Sequence, residues 1–229
     1  MRTRNTVHRP FPFLRIGILL STGYAFVMLL HWPIGFTFFT QLSNLFTVLV
    51  VLCQLLMPRH AERLKLWKYM ASVSIFLTFL IYLLVLAPIM PGGILAAYRQ
   101  DHWASLCMHV ITPFLTLADF FLHDTDYPWR GRHVYFAAVP PFAWLVFILV
   151  LGQLGLRWGM GNMTAPYPFL NYAAPAGWFG WMPETAGYTT LGIGVFYAIL
   201  AMIPLVLLLG LLLLRCAMAV RRVRTGQRR

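Results

Sequence analysis

Polar and ionisable side chains recur at steps of three and four along one long apolar stretch of the chain. This spacing places side chains on one face of an α-helix. The members of the face are His102, Ser105, His109, Thr112, Thr116, Asp119 and His123. Ionisable groups are rare inside membrane spans because burying them in lipid is costly, so they usually serve a purpose. We therefore expect His109, near the middle of the face, to be a functional residue.

An earlier stretch carries a weaker polar face that begins with a threonine. Its polar residues are Thr40, Ser43, Asn44, Thr47 and Gln54. Both stretches are predicted to run from the outer to the inner side of a membrane. At 1.5 Å per residue, Thr40 then lies roughly 6 Å and His109 roughly 10 Å below the outer edge. The two side chains can meet if the helices pack side by side.

A threonine beside a neutral histidine indicates a definite chemistry. The imidazole can remove the hydroxyl proton while the oxygen attacks a carbonyl carbon, as in acyl transfer or ester hydrolysis. A site at this depth in the membrane suits a lipid substrate. The alternative is structural, because Ser and Thr hydroxyls in membrane helices commonly bond their own backbone or join neighbouring helices.

Two more residues of the stretch that contains His109 affect its polar face. Pro113 lacks an N–H group, so it is expected to free the carbonyl of His109 and to kink the helix. Asp119 lies deeper in the membrane, where it either pairs with a basic residue or marks a polar pathway.

Other catalytic signatures are absent from the sequence. It has no GxSxG, no HExxH, no phosphate-binding glycine loop and no paired-cysteine motif. Cys53, Cys107 and Cys216 share no metal-ligand spacing, and we expect them to pack within or beside spans. We predict no metal site and no cofactor.

Long apolar stretches are the elements that must position these residues. Of the 229 residues, 60% are hydrophobic and 10% are charged, whereas a soluble domain has about 25% charged residues. A span needs roughly 20 apolar residues, and each span must be helical because lipid cannot pair backbone groups. We predict an all-α polytopic membrane protein, a single transmembrane domain over 1–229. Its six spans are about 13–30, 36–57, 67–90, 102–123, 134–156 and 188–215.

The basic residues predict how these spans are oriented. Sixteen of the 18 Lys and Arg residues, with Arg15 and Lys68 among them, fall at the N-terminus, at or beside the second and fourth connections, or in the C-terminal tail. Basic residues favour cytoplasmic loops, so both termini are predicted to be cytoplasmic. The tail is expected to contact anionic headgroups. Its bases are Arg215, Arg221, Arg222, Arg224, Arg228 and Arg229. The formal charge of +12 is therefore assigned to topology, and no nucleic-acid partner is expected.

The longest connection covers residues 157–187. It is rich in proline, glycine and aromatic residues and poor in charge, unlike a disordered linker. We expect it to lie on the outer bilayer surface or to dip into it. The sequence does not indicate an oligomeric state.

Three short motifs together resemble a known family. They are FFTQLSN at 38–44, MHVITPF at 108–114 and YPFLN at 167–171. Their order and predicted topology resemble the androgen-induced-protein-like family, which includes bacterial six-helix proteins and animal hydrolases of fatty acid esters of hydroxy fatty acids. The bacterial branch is the closer one. The resemblance implies a threonine nucleophile at Thr40 and a histidine base at His109.

The expected function is an intramembrane hydrolase of lipid esters, located in a bacterial inner membrane, with a membrane lipid as substrate. Candidates for contacting the substrate or the oxyanion are Ser43, Asn44, Thr112, Tyr167 and Asn171. In the animal proteins an acidic residue stands at the position of Asn171. The alternatives are a lipid-binding or transport protein without enzymatic activity, and a lipid acyltransferase.

Overall fold

The computed structural model describes residues 12–89, 102–159, 162–182 and 192–226. Within these ranges the chain is helical, and its extended pairing is limited to two isolated bridges, Trp158 with Met163 and Trp181 with Ile193. The predicted all-α class is therefore confirmed for the described part of the chain.

Six apolar helices make up the described part of the fold. We number them α1 (Pro12–Leu29), α2 (Phe39–Leu56), α3 (Ala61–Ile81, continued by a π-helical turn at Tyr82–Leu86), α4 (His102–Leu106, a π-helical turn at Cys107–Ile111, then Thr112–His123), α5 (a 3₁₀ segment at Gly131–Ala138, then Val139–Gln153) and α6 (Val195–Arg224). The helices α2 to α6 are long and apolar enough to cross a membrane, and α1 is a shorter apolar helix. The chain is an integral membrane protein by the length and composition of these helices.

The predicted spans agree with these helices to within a few residues in most places. The largest difference is at α6, which begins at Val195 and continues past Arg215 to Arg224. The extension is held because Arg221 donates to the carbonyl of Tyr127 and Arg224 donates to that of Leu122. Positions 90 and 188, where the third span was predicted to end and the sixth to begin, lie outside the described residues.

Contacts to α4 fix the direction of α3. His109 of α4 contacts Thr40 of α2, and its ring stacks on that of Tyr82 of α3. Further along α4, Asp119 forms an ion pair with Lys68 of α3. Because α3 meets α4 with Tyr82 at one end and Lys68 at the other, the two helices are antiparallel. We call the end of the bundle with Thr40 and His109 the site end, and the end with Asp119 the basic end.

The directions of α1 and α2 follow in the same way. Gln54 of α2 donates to Asp124, which directly follows α4, so α2 runs parallel to α4. On α1, Thr22 bonds Thr112 and Arg15 bonds Asp119, so α1 is antiparallel to α4. The helices α1 to α4 thus form a four-helix bundle.

The interior of this bundle is polar, whereas the rest of the core is apolar. Fully buried polar residues of α1 to α4 are Thr22, Asn44, Thr47, Lys68, Ser72, Ser74, Thr112, Thr116 and Asp119. The apolar core lies where α5 and α6 pack on the other side of α3, with Tyr69, Val73 and Leu77 against Leu209 and Leu213. The helix α3 therefore separates a polar half of the molecule from an apolar half.

Part of the connection between α5 and α6 folds into the protein. Residues 163–171 are all buried, whereas the sequence predicts a connection that lies on the outer bilayer surface or dips into the bilayer. At its start, the carbonyl of Thr164 packs so closely on Gly152 of α5 that a side chain at Gly152 would collide with it. The amide oxygen of Asn171 accepts bonds from both the N–H and the hydroxyl of Thr164, which holds the segment in a closed loop.

Candidate active site

The beginning of α2 places Thr40 at the site end. The 3₁₀ turn Pro33–Thr37 precedes it, and Phe38 in extended conformation is the helix N-cap. Two indole N–H groups anchor the turn, because Trp144 donates to the carbonyl of Thr37 at 2.9 Å and Trp158 donates to its hydroxyl at 2.7 Å. Thr40 is the second residue of the helix, where backbone N–H groups have no helical acceptor.

A π-helical turn in α4 places His109. The amide of Thr112 donates to the carbonyl of Cys107, five residues earlier. In this register the carbonyl that faces Pro113 is that of Met108, and it accepts the side-chain amide of Asn44 at 3.3 Å. We predicted that Pro113 frees the carbonyl of His109, four residues earlier. That expectation stays a prediction. The wider turn presents the carbonyl of Met108 to Asn44, and such turns are frequent at functional sites.

His109 and Thr40 are in contact. The Nε2 atom of His109 lies 3.4 Å from Thr40 Oγ1, and both side chains are buried. The Nδ1 atom lies 2.9 Å from the carbonyl oxygen of Ser105. A carbonyl can only accept, so Nδ1 carries the proton and the lone pair of Nε2 faces the threonine hydroxyl. This is the tautomer that a general base needs, and contacts of this kind are often long before substrate binds.

Tyr167 completes the contact from the connection between α5 and α6. Its hydroxyl lies 3.3 Å from Thr40 Oγ1 and accepts the backbone N–H of Thr40 at 3.4 Å. Because Thr40 donates its single hydroxyl proton to His109, the phenol is the donor toward Thr40 Oγ1. Burial raises the pKa of Tyr167, so the phenol stays protonated at neutral pH. Phe38 and Trp144 pack edge-on against its ring.

Tyr82 supports His109 from α3, and sequence reasoning missed it. The two rings stack with centroids 3.6 Å apart, and the Tyr82 hydroxyl lies 3.0 Å from that of Ser105. Tyr82 begins the π-helical turn of α3, and Pro88 follows that turn as Pro113 follows the turn in α4. A proline placed in this way in each helix was the one available signal in the sequence for these turns.

An apolar chamber of about 150 Å³ opens next to Thr40. Its lining residues are Phe39, Thr40, Leu77, Thr78, Ile81, Leu86, Ala138, Pro141, Phe142, Trp144, Leu145, Tyr167, Phe169, Leu170, Ile199, Met202, Ile203 and Val206. The hydroxyl groups of this lining belong to Thr40, Thr78 and Tyr167. Phe142 of α5 and Ile203 of α6 are exposed, so the chamber opens sideways between these helices. His109 lies behind Thr40 and is reached from the chamber through it.

Two of the other predicted site residues lie close to Thr40, but their side chains donate hydrogen bonds to backbone carbonyls. The amide of Asn44 donates to the carbonyls of Thr40 and Met108, so both of its N–H groups are used. The hydroxyl of Ser43 lies 3.0 Å from the carbonyl of Thr40 and 2.9 Å from the hydroxyl of Thr78. Both residues thus brace the first turn of α2.

The remaining predicted residues are placed elsewhere. Thr112 bonds Ser21 and Thr22 of α1, and Asn171 closes the loop described above. Of the five candidates for contact with substrate or oxyanion, Tyr167 is the one whose side chain bonds the Thr40 hydroxyl. The catalytic and substrate-contact roles of all these residues stay predictions.

Asp119 occupies a separate ionic cluster at the basic end. It pairs with Lys68 at 2.9 Å, with Arg15 at 3.2 Å and with His123 at 2.8 Å. Lys68 and Asp119 are fully buried. Arg15 and Lys68, which were counted only as topology signals, therefore neutralise a buried carboxylate. Across the described ranges, no group of three or more His, Cys, Asp or Glu side chains is arranged to hold a metal ion.

The chain was compared with protein-family models, with curated proteins and with solved structures, and none of the three comparisons gives a match. The family resemblance carried by the three motifs accordingly stays a prediction.

Proposed function

We propose that this protein is an intramembrane hydrolase of lipid esters, with Thr40 as the nucleophile and His109 as the base. The observation that carries the proposal is the contact of a histidine Nε2 with a threonine hydroxyl at the end of an apolar chamber, with the histidine Nδ1 against a backbone carbonyl. A buried Thr–His pair with a structural role alone does not require such a chamber beside it. Fatty acid esters of hydroxy fatty acids belong to the substrate class that fits.

The first step is acyl transfer to the threonine. Thr40 Oγ1 attacks the ester carbonyl carbon while its proton moves to Nε2 of His109. The imidazolium that forms keeps its Nδ1–H, which donates to the carbonyl of Ser105. The stacked ring of Tyr82 also favours the charged imidazole, because an aromatic face attracts a cation. His109 then gives the proton to the leaving alcohol.

The oxyanion of the tetrahedral intermediate needs donors already in place. The Tyr167 hydroxyl lies beside Thr40 Oγ1 and is the donor available there, since the Thr40 N–H already bonds the Tyr167 oxygen. The helix α2 also presents its N-terminal end there, where the helix dipole favours negative charge. Substrate would take the place of the Thr40 hydroxyl as the acceptor of the Tyr167 proton.

Tyr167→Phe tests the proposed oxyanion donor. We expect turnover to fall roughly 10²-fold, the usual effect of removing one such donor, with unchanged folding because the ring contacts remain. The matched control is Tyr172→Phe on the same connection, which should keep normal turnover. Full activity of Tyr167→Phe in a lipid-ester hydrolysis assay would assign the phenol a packing role.

The chamber is suited to the hydrocarbon part of a lipid. A lipid tail moves into it from a bilayer that is equally apolar, so this transfer brings little hydrophobic gain. Selectivity must then come from the ester group and from the shape of the chamber. The sideways opening between α5 and α6 fits a substrate that arrives from within the membrane.

An activated acyl ester distinguishes the hydrolase from its alternatives. With para-nitrophenyl palmitate, we expect a burst of nitrophenol and an acyl group on the peptide containing Thr40, detected by mass spectrometry. His109→Ala should show neither. If palmitoyl lipids are retained without labelling of Thr40, the protein is a lipid-binding or transport protein. If a second lipid receives the acyl group in place of water, product analysis identifies an acyltransferase.

The proposal includes the membrane topology. It places six spans in a bacterial inner membrane, with both termini in the cytoplasm and the basic end of the bundle facing the cytoplasm. The exposed side chains of Arg215 and Arg222 near the end of α6 can then contact anionic headgroups. With Cys216 replaced by Ser, a Thr225→Cys label should react with an impermeant maleimide only after the cytoplasmic side is made accessible. Reaction in intact cells would reverse the orientation.

A further inference from the structure

Several buried polar atoms inside the α1–α4 bundle have no hydrogen-bond partner among the described residues. They are Gln41 Oε1, Asn44 Oδ1 and Gln54 Oε1 of α2, Ser72 Oγ of α3, Thr116 Oγ1 of α4, and Asp124 Oδ2 directly after α4. The side chains that carry these atoms are all at most 5% exposed. A further unpaired buried atom, Trp129 Nε1, belongs to the apolar core shared with α5 and α6 and is not part of this set.

These atoms lie at successive levels between the site end and the basic end. Asn44 is at the level of Met108, to whose carbonyl it donates, and Gln54 is at the level of Asp124. The antiparallel pairing of Lys68 with Asp119 fixes the level between them. One helical turn from that pair toward the site end come Ser72 on α3 and Thr116 on α4.

The unpaired polar atoms are therefore distributed between the ionic cluster and the Thr40–His109 pair. His109 and Asp119 are ten residues apart on α4, which corresponds to about 15 Å of helix. Along this length, buried polar groups from three helices face the same interior. Buried polar groups in folded proteins are almost always bonded to protein or to ordered water. A polar interior with several unpaired groups is the kind of site that water occupies.

We propose that a column of bound water runs inside the α1–α4 bundle from the ionic cluster at Asp119 and Asp124 to Asn44 beside Thr40. The ligand of this site is water, held by the side-chain oxygens of Gln54, Ser72 and Thr116. Its use in catalysis rests on the proposed function: the column supplies the water that the apolar chamber cannot.

The second half of the reaction consumes one water molecule from the column. Its oxygen attacks the carbonyl carbon of the acyl-threonine while one proton moves to Nε2 of His109. The bond between that carbon and Thr40 Oγ1 then breaks, and the imidazolium returns the proton to the threonine oxygen. The fatty acid leaves with the water oxygen, and the column refills from the basic end.

The first test is an experimental structure of the full-length protein in lipid nanodiscs at a resolution that shows ordered water. We expect water within hydrogen-bond distance of Ser72 Oγ, Thr116 Oγ1 and Gln54 Oε1. The proposal is overturned if these atoms are dry, or if their side chains turn to pair with one another.

The second test separates the two halves of the reaction. The double variant Ser72→Ala with Thr116→Val removes two hydroxyls from the middle of the column with little change in volume. With para-nitrophenyl palmitate, we expect an unchanged nitrophenol burst. Steady-state turnover should be about five- to tenfold slower, because the column that supplies the reacting water loses hydrogen bonds to the protein. The control is Ser74→Ala, because the Ser74 hydroxyl is satisfied by the carbonyl of Met70 in its own helix.

The outcomes are distinct. An unchanged burst with unchanged turnover in the double variant overturns the column as a water supply, while the proposed hydrolase stands. A wild-type protein that gives no burst and no labelling of Thr40 overturns the hydrolase, and the ordered-water structure then decides whether the column exists. That structure also decides the matter if the double variant does not fold.

Discussion

Thr40→Ala and His109→Ala should each lower the turnover of a lipid ester by roughly 10³- to 10⁶-fold, because a nucleophile and its base act as one unit. For the same reason, the double variant should be hardly worse than either single variant. Thr40→Ala should also lose acyl labelling, since the attacking oxygen is gone. Release of fatty acid by purified protein in nanodiscs, with acyl labelling followed in parallel, is the appropriate measurement.

Thr47→Val is the matched control for this result. Thr47 is a buried threonine on the same helix, but its hydroxyl bonds the carbonyl of Ser43 in that helix. It should retain turnover close to that of the wild type. Thr40→Ser should retain part of the activity, because it keeps the attacking oxygen. Undiminished turnover in either Thr40→Ala or His109→Ala would rule out the proposed nucleophile and base.

Asp119→Ala is expected to destabilise the protein by about 3–5 kcal/mol, the cost of removing one partner from a buried ion pair. It leaves the Lys68 ammonium and the Arg15 guanidinium together in a buried site without a carboxylate between them. Thermal unfolding in detergent micelles, followed by circular dichroism, measures the change. The double variant Asp119→Ala with Lys68→Met should recover part of the loss, because it removes one of the two unpaired charges.

Glu62→Gln provides the contrast on the same helix. Glu62 pairs with Lys65, but its carboxylate is 72% exposed, so water screens the pair. We expect a change of at most about 1 kcal/mol. If Asp119→Ala were as mild as Glu62→Gln, the cluster would not be a structural link between α1, α3 and α4.

The position of Thr40 follows from the division of the molecule by α3. Thr40 touches the apolar chamber on one side and His109 of the polar bundle on the other. An ester group bound there would have its hydrocarbon in the chamber and its carbonyl at the edge of the polar interior. A lipid-ester hydrolase must bring together hydrocarbon and water, and this boundary is where the two environments meet.

The sequence by itself determined the helices and the polar face of α4. Lipid forces each span to be helical and makes every buried ionisable group conspicuous, so the periodicity of 3.6 residues could be read directly. The face that runs from Ser105 to Asp119 is buried, while Phe114 on the opposite side is exposed. Thr40 and His109 could be singled out for the same reason, since Thr40 is the first residue of the polar face of α2 and His109 lies near the middle of that of α4.

Tertiary structure alone decided what these residues touch. Tyr167 reaches Thr40 from 127 positions away along the chain, and Arg15 reaches Asp119 from 104 positions away. Neither pairing leaves a local pattern, because periodicity describes one helix and not its neighbours. The two π-helical turns also shift the register of α3 and α4, at the points where the carbonyl of Met108 accepts Asn44 and the ring of Tyr82 stacks on His109. Packing between helices sets those registers, and no stretch of sequence contains that information by itself.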